Sequence, residues 1–79
     1  MPLFYFYIHD DGGVVIDDEG TDVVDIGAAE KLALDVLAQG ILDDAGNGKI
    51  GFTKVEVIDD KGRIVATASA TVSLERLLS

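Results

Sequence analysis

The chain has 79 residues and a formal charge of −9, from 15 acidic and 6 basic side chains with a single histidine. A chain this short makes one domain, residues 1–79, which buries only about 60 to 65% of the surface its unfolded form exposes, so a second copy would add useful stability. The acidic balance argues against nucleic acid and against an anionic membrane, both of which need clustered Lys and Arg, and it suits a basic partner or a cation. With no cysteine, the sequence offers no disulfide, zinc-thiolate site or thiol nucleophile, and the cytoplasm is the default compartment.

The apolar start, Met1 to Ile8, lacks a basic flank and a small-residue cleavage site, and Asp10 and Asp11 end it too early for a signal peptide or a membrane span. It reads instead as a strand over Leu3 to Ile8, with Phe4, Phe6 and Ile8 on one face and Leu3, Tyr5, Tyr7 and His9 on the other. His9-Asp10-Asp11-Gly12-Gly13 is a turn, Val14-Val15-Ile16 is a short return strand, and Asp17-Asp18-Glu19-Gly20 breaks it.

Asp25 is placed to cap a helix, because its carboxylate can accept from free backbone N–H groups of the next turn and suits the positive end of the helix dipole. The helix is expected to run to about Leu42. Ala29, Leu32, Ala33, Val36, Leu37, Gly40 and Ile41 recur at helical spacing on one face, and Glu30, Lys31, Asp35 and Gln39 occupy the other. Leu34 and Ala38 fall beside the polar face, as exposed residues or as part of a contact.

A second hairpin follows, Thr53 to Ile58 and Arg63 to Ser73, joined by Asp59-Asp60-Lys61-Gly62, where Gly62 can supply the positive φ of a type I turn with a bulge. Ile64, Ala66, Ala68, Ala70 and Val72 alternate with Arg63, Val65, Thr67, Ser69 and Thr71, so the strand should pack its small residues toward something bulky, expected to be the helix. The opposite, semi-polar face would stay uncovered in a monomer, which is the sequence-level case for a homodimer. Were the helix a right-handed crossover between the first and third strands, those two would pair in parallel.

Candidate chemistry is sparse. Asp43 to Lys54 looks like a calcium-binding EF-hand loop, with Asp43, Asn47, Gly48 and Ile50 at matching positions, but Ala45 offers no oxygen and Lys54 stands where a bidentate carboxylate is needed. A helix stop followed by a turn explains the same letters. Asp17, Asp18, Glu19, Asp22 and Asp25 could gather a divalent cation on one turn, or simply be a solvated turn and a cap. His9 lacks an evident nucleophile partner, since Ser69 and Ser73 lie on a strand without an elbow motif. Neither Gly12-Gly13 nor Gly46 to Gly51 forms a phosphate loop. No catalytic, cofactor-binding or metal-binding residue is therefore assigned, and the chain reads as non-catalytic.

Met1-Pro2-Leu3-Phe4-Tyr5-Phe6, Asp11-Gly12, Asp17-Asp18-Glu19-Gly20, Ala28-Ala29, Val55-Glu56-Val57 and Asp60-Lys61-Gly62-Arg63 together resemble a family of short bacterial proteins described only as a domain of unknown function. The resemblance covers nearly the whole chain and implies no activity, cofactor or site residue. The order of strand, Asp-Gly turn, strand, acidic Gly turn and Ala-rich helix is more loosely similar to HicB-like antitoxin N-terminal domains, though the proline-rich apolar segment before the helix is missing. The expected fold is α+β in ββαββ order, a four-stranded antiparallel-rich sheet with one helix packed on one face. The expected role is a small interaction module acting through homodimerisation or a basic protein partner. The alternatives are an antitoxin-like toxin inhibitor and a weak divalent-cation binder or enzyme.

Overall fold

The computed structural model describes residues 1–78. In chain order the elements are β1 (Leu3–Asp10), β2 (Gly13–Val15), β3 (Thr21–Asp22), α1 (Ile26–Gly46), β4 (Gly51–Ile58) and β5 (Ile64–Val72). The sheet runs β2-β1-β4-β5, with β3 also paired to β1, and every pairing is antiparallel. The α+β class and the ββαββ order are as the sequence implies. The two-residue β3 is an addition that has no hydrophobic pattern to announce it.

β1 and β4 pair antiparallel, with Phe6 opposite Val57 and Ile8 opposite Val55, which corrects the parallel pairing expected from a crossover. The chain has already reversed before it enters the helix: β2 and β3 run antiparallel to β1. The crossover through α1 therefore returns the chain parallel to β3, and β1, lying the other way, meets β4 antiparallel.

Asp25 caps α1, its Oδ1 accepting from the Ala28 backbone N–H at 2.8 Å. The helix continues past Leu42 to Gly46 and stops where the backbone N–H of Asn47 donates to the carbonyls of Asp43 and Asp44, and that of Gly48 to Ala45. Those bonds satisfy carbonyls that the end of a helix otherwise leaves open. The core lies between α1 and one face of the sheet. Ala29, Ala33 and Leu37 of the helix are buried against Phe4, Val23, Val55 and Val57, with Ala66, Ala68 and Ala70 partly buried beside them. The helix side that meets the alanines of β5 is itself largely alanine, Ala29 and Ala33, and not the bulky face expected, and this lets the helix lie close over the sheet.

Beyond the Asp59–Arg63 turn, the β4–β5 register shifts between Val57 and Ile58: Val57 pairs with Ala66, but Ile58 pairs with Ile64. This bulge takes Ile64 off the alanine row to which simple alternation assigned it, and leaves it 57% exposed. Gly62 has the expected positive φ, 80°.

Candidate binding site

The helix covers one face of the sheet. The other carries Tyr5, Tyr7 and His9 of β1, which stand opposite Ile58, Glu56 and Lys54 of β4, and β5 adds Thr67 and Ser69 opposite Glu56 and Lys54. The Nε2 of His9 contacts the Glu56 carboxylate, whose other oxygen lies 4.0 Å from Lys54 Nζ. His9 is thus tied into a charged row, and Ser69 stands two strands away with Lys54 between them. At about 4.8 Å per strand step, that separation is too wide for the contact a nucleophile and its base require. Glu56 and Lys54 were legible as outward positions of an alternating strand, but their meeting with His9 depends on the antiparallel register.

Asp17 does structural work. Its Oδ1 accepts from the backbone N–H groups of Glu19 (3.1 Å) and Gly20 (3.0 Å), and its Oδ2 from that of Phe6 (3.2 Å), which ties the acidic turn to β1. The N–H of Gly20 is the main cause of a pKa below the usual carboxylate range, and those of Glu19 and Phe6 act in the same direction against the opposing effect of burial. Gly20 itself has φ 78°, and a Cβ there would come within 3.0 Å of Leu3 and Tyr5, so no side chain fits without strain.

Asp59 plays the matching part in the second turn. It is buried, and its Oδ1 accepts from the backbone N–H groups of Lys61 and Arg63, both at 2.9 Å, while its Oδ2 accepts from Arg63 Nε at 2.7 Å. The Arg63 backbone bond is the first cause of its lowered pKa, and the guanidinium adds to it.

These two turns converge. Tyr5, Tyr7, Asp17, Asp18, Asp59 and Asp60 line an open cavity of ≈ 340 Å³, with Ile16, Ile58 and Gly62. Asp17 and Asp59 spend their oxygens on backbone and Arg63, and their depressed pKa values keep both negative through neutral pH. Asp18 and Asp60 are exposed at the rim. Aromatic walls with carboxylates around them favour a cation carried on a flat or extended side chain, since a guanidinium can lie over a ring and hydrogen-bond to carboxylates. In the sequence Tyr5, Tyr7 and the Asp17 cluster stand apart, and Asp59 and Asp60 read as turn residues only.

Of the other acidic candidates, Asp25 is committed to its cap. Asp43 lies within α1, and its backbone carbonyl accepts from both the backbone and the side-chain nitrogen of Asn47, so the segment resembling a calcium loop is a helix end and not a metal loop. A smaller cavity of ≈ 200 Å³ holds Asp10, Asp11 and Asp44, but Lys49 shares it and supplies the opposing charge. Among the described residues, no group of three or more His, Asp or Glu is arranged to hold a metal ion. No helix among them is long and apolar enough to cross a membrane.

The family model of a domain of unknown function, DUF6894, matches residues 3–71, which span every element from β1 to nearly the end of β5. The chain belongs to this family. No curated protein and no solved structure matches it. Membership of DUF6894 brings no activity with it.

Proposed function

We propose that this DUF6894 protein is a non-catalytic interaction module that binds a basic protein partner by taking an arginine or lysine side chain into the Tyr5–Tyr7 cavity. The observation that carries this reading is the convergence of Asp17, Asp18, Asp59 and Asp60 around two tyrosines on the uncovered sheet face. The site is built on β1 and on two turns pinned by their own carboxylates, so little ordering is needed when a ligand arrives. Self-association into a homodimer belongs to the same reading, because a domain of this size leaves much surface without cover.

Titration of the protein with a short Arg/Gly peptide tests the cavity. Saturable binding that weakens with added salt is expected, and Asp18→Asn combined with Asp60→Asn should reduce affinity about tenfold, the loss of charge-assisted hydrogen bonds. Asp43→Asn with Asp44→Asn removes the same charge from the helix end and should change little. Equal losses in the two double variants, or no saturable binding, would refute the cavity as the site.

A further inference from the structure

β5 is an edge strand of nine residues, Ile64–Val72, and among the described residues none pairs with its outer side. Exposed edges normally carry devices that prevent pairing with another chain: a lysine, a proline, an inward charge, a bulge or a very short strand. No residue from Ile64 to Leu74 is charged or is proline, and the one bulge of β5 lies at its start, beside Ile64, so the strand from Ala66 to Val72 is regular and undefended. Of the 15 carboxylates, seven lie between Asp10 and Asp25 on or beside β1, β2 and β3, and Glu30 of the helix lines the groove beside β5. A chain of charge −9 can therefore meet its copy along β5 while keeping its densest negative charge at the far side of the sheet.

We propose that β5 pairs antiparallel with β5 of a second copy about a two-fold axis centred on Ala68, joining the two sheets into one. This deepens the homodimer part of the reading above. Pairing along the regular stretch beyond the bulge places Ala66 opposite Ala70 of the second copy and Thr67 opposite its Ser69. Ala66, Ala68 and Ala70 then stay on the helix face in both chains, as a two-fold axis normal to the sheet requires. The helix packs equally on β4 and β5, so its axis lies about half a strand spacing inside the edge. Adding the new strand step of about 4.8 Å and the same half step on the other side brings the two helix axes about 10 Å apart, within the ordinary range for packed helices. The groove between α1 and β5, lined by Glu30, Ala33, Leu34, Ala66 and Ala68, becomes that helix contact. Leu34, 57% exposed in the single chain, gains its copy as a neighbour. The antiparallel helices hold the two Glu30 side chains on opposite sides of the axis.

The tail supports the same geometry. Leu74, Leu77 and Leu78 are 84, 82 and 88% exposed, and the radius of gyration of 14.3 Å exceeds the roughly 12 Å of a compact chain this long. Beyond Val72 the pairing carries the tail past the turn of the second copy, where Glu75 and Arg76 come alongside Lys61, Arg63 and Asp60. Charges of both signs are thus available to pair.

Light scattering across a concentration series should give twice the 8.3 kDa chain mass for the full chain and the monomer mass for Leu34→Glu, with the circular dichroism of the two alike. As a check that does not depend on that variant, Thr67→Cys mixed with Ser69→Cys should form an intermolecular disulfide faster than either does alone, because only the mixed pair stands directly opposite. A dimer indifferent to Leu34→Glu, without preferential cross-linking, would overturn the β5 pairing and leave self-association standing. A monomer at every concentration would overturn both, and Arg/Gly peptide binding by that monomer would show whether the cavity reading survives.

Discussion

The side of the sheet around β1 and the side that ends in β5 are finished in opposite ways. Next to β1 the pairing partners are three residues of β2 and two of β3, and between them Asp17 takes the Phe6 amide with its own carboxylate. Hydrogen-bonding capacity is consumed locally and the surroundings are strongly charged, so another strand finds little to pair with. At β5 a long, neutral strand of Ile, Ala, Ser, Thr and Val keeps its outer side free under a helix that borders it with Glu30, Ala33 and Leu34. The contrast separates two kinds of surface. Charge fixed by turns suits the unlike partner proposed above, and an undefended edge suits the proposed like one.

Both sides lean on the central strand, so the largest effect is expected there. Val55 is fully buried between β1 and β5. Val55→Ala should lower unfolding free energy by about 2 to 3 kcal/mol, read from urea denaturation, through lost burial and the cavity left behind. Asp17→Ala should cost about 1 to 2 kcal/mol, since it strips acceptors from the backbone N–H groups of Phe6, Glu19 and Gly20. Amide exchange should then quicken at Phe6 and Gly20 while the amides of β4 opposite β5 stay protected. Uniform loss of protection would mean that the two sides are not independent.

The pH dependence sharpens the same comparison. Asp17 and Asp59 both have folded pKa values below the ordinary carboxylate value, so their contribution is fully present above the unfolded Asp pKa of about 3.9 and is lost as pH falls through their lower folded values. The urea midpoint should therefore drop on acidification below about pH 4, and Asp17→Asn should make that drop shallower. Smaller again is Asp25→Ala, which removes the helix cap and should cost about 1 kcal/mol. The smallest effect belongs to the exposed Lys31–Asp35 pair, 3.4 Å apart on the outer face of α1: Lys31→Ala should change stability by less than about 0.5 kcal/mol.

Local signals were legible where a residue and its structural partner lie close in the chain. Asp25 could be read as a cap because its acceptor lies three residues from the amide it serves. Gly62 could be read as a turn residue because its φ is set within one hairpin. Ile64 could not be placed, because the bulge that displaces it is a mismatch between two strands and leaves no mark on either alone. The candidate site was legible only in pieces. Tyr5 and Tyr7 showed as an outward face, and Asp17 as part of an acidic turn, but their meeting with Asp59 and Asp60 needs the pairing of Tyr5 with Ile58 across more than fifty residues.

The sequence by itself determined the α+β class, the order of strands and helix, the capped start of α1, its alanine-rich buried side and the acidic character of the surface. Each of these follows from periodicity, turn chemistry or composition, which act over a few residues. The tertiary structure alone decided that β1 meets β4 antiparallel, that β5 is left at an edge, and that two separate turns bring their carboxylates to one pair of tyrosines. Those outcomes depend on which strands close on one another once the helix has covered one face of the sheet, a competition among long-range pairings that no local pattern encodes.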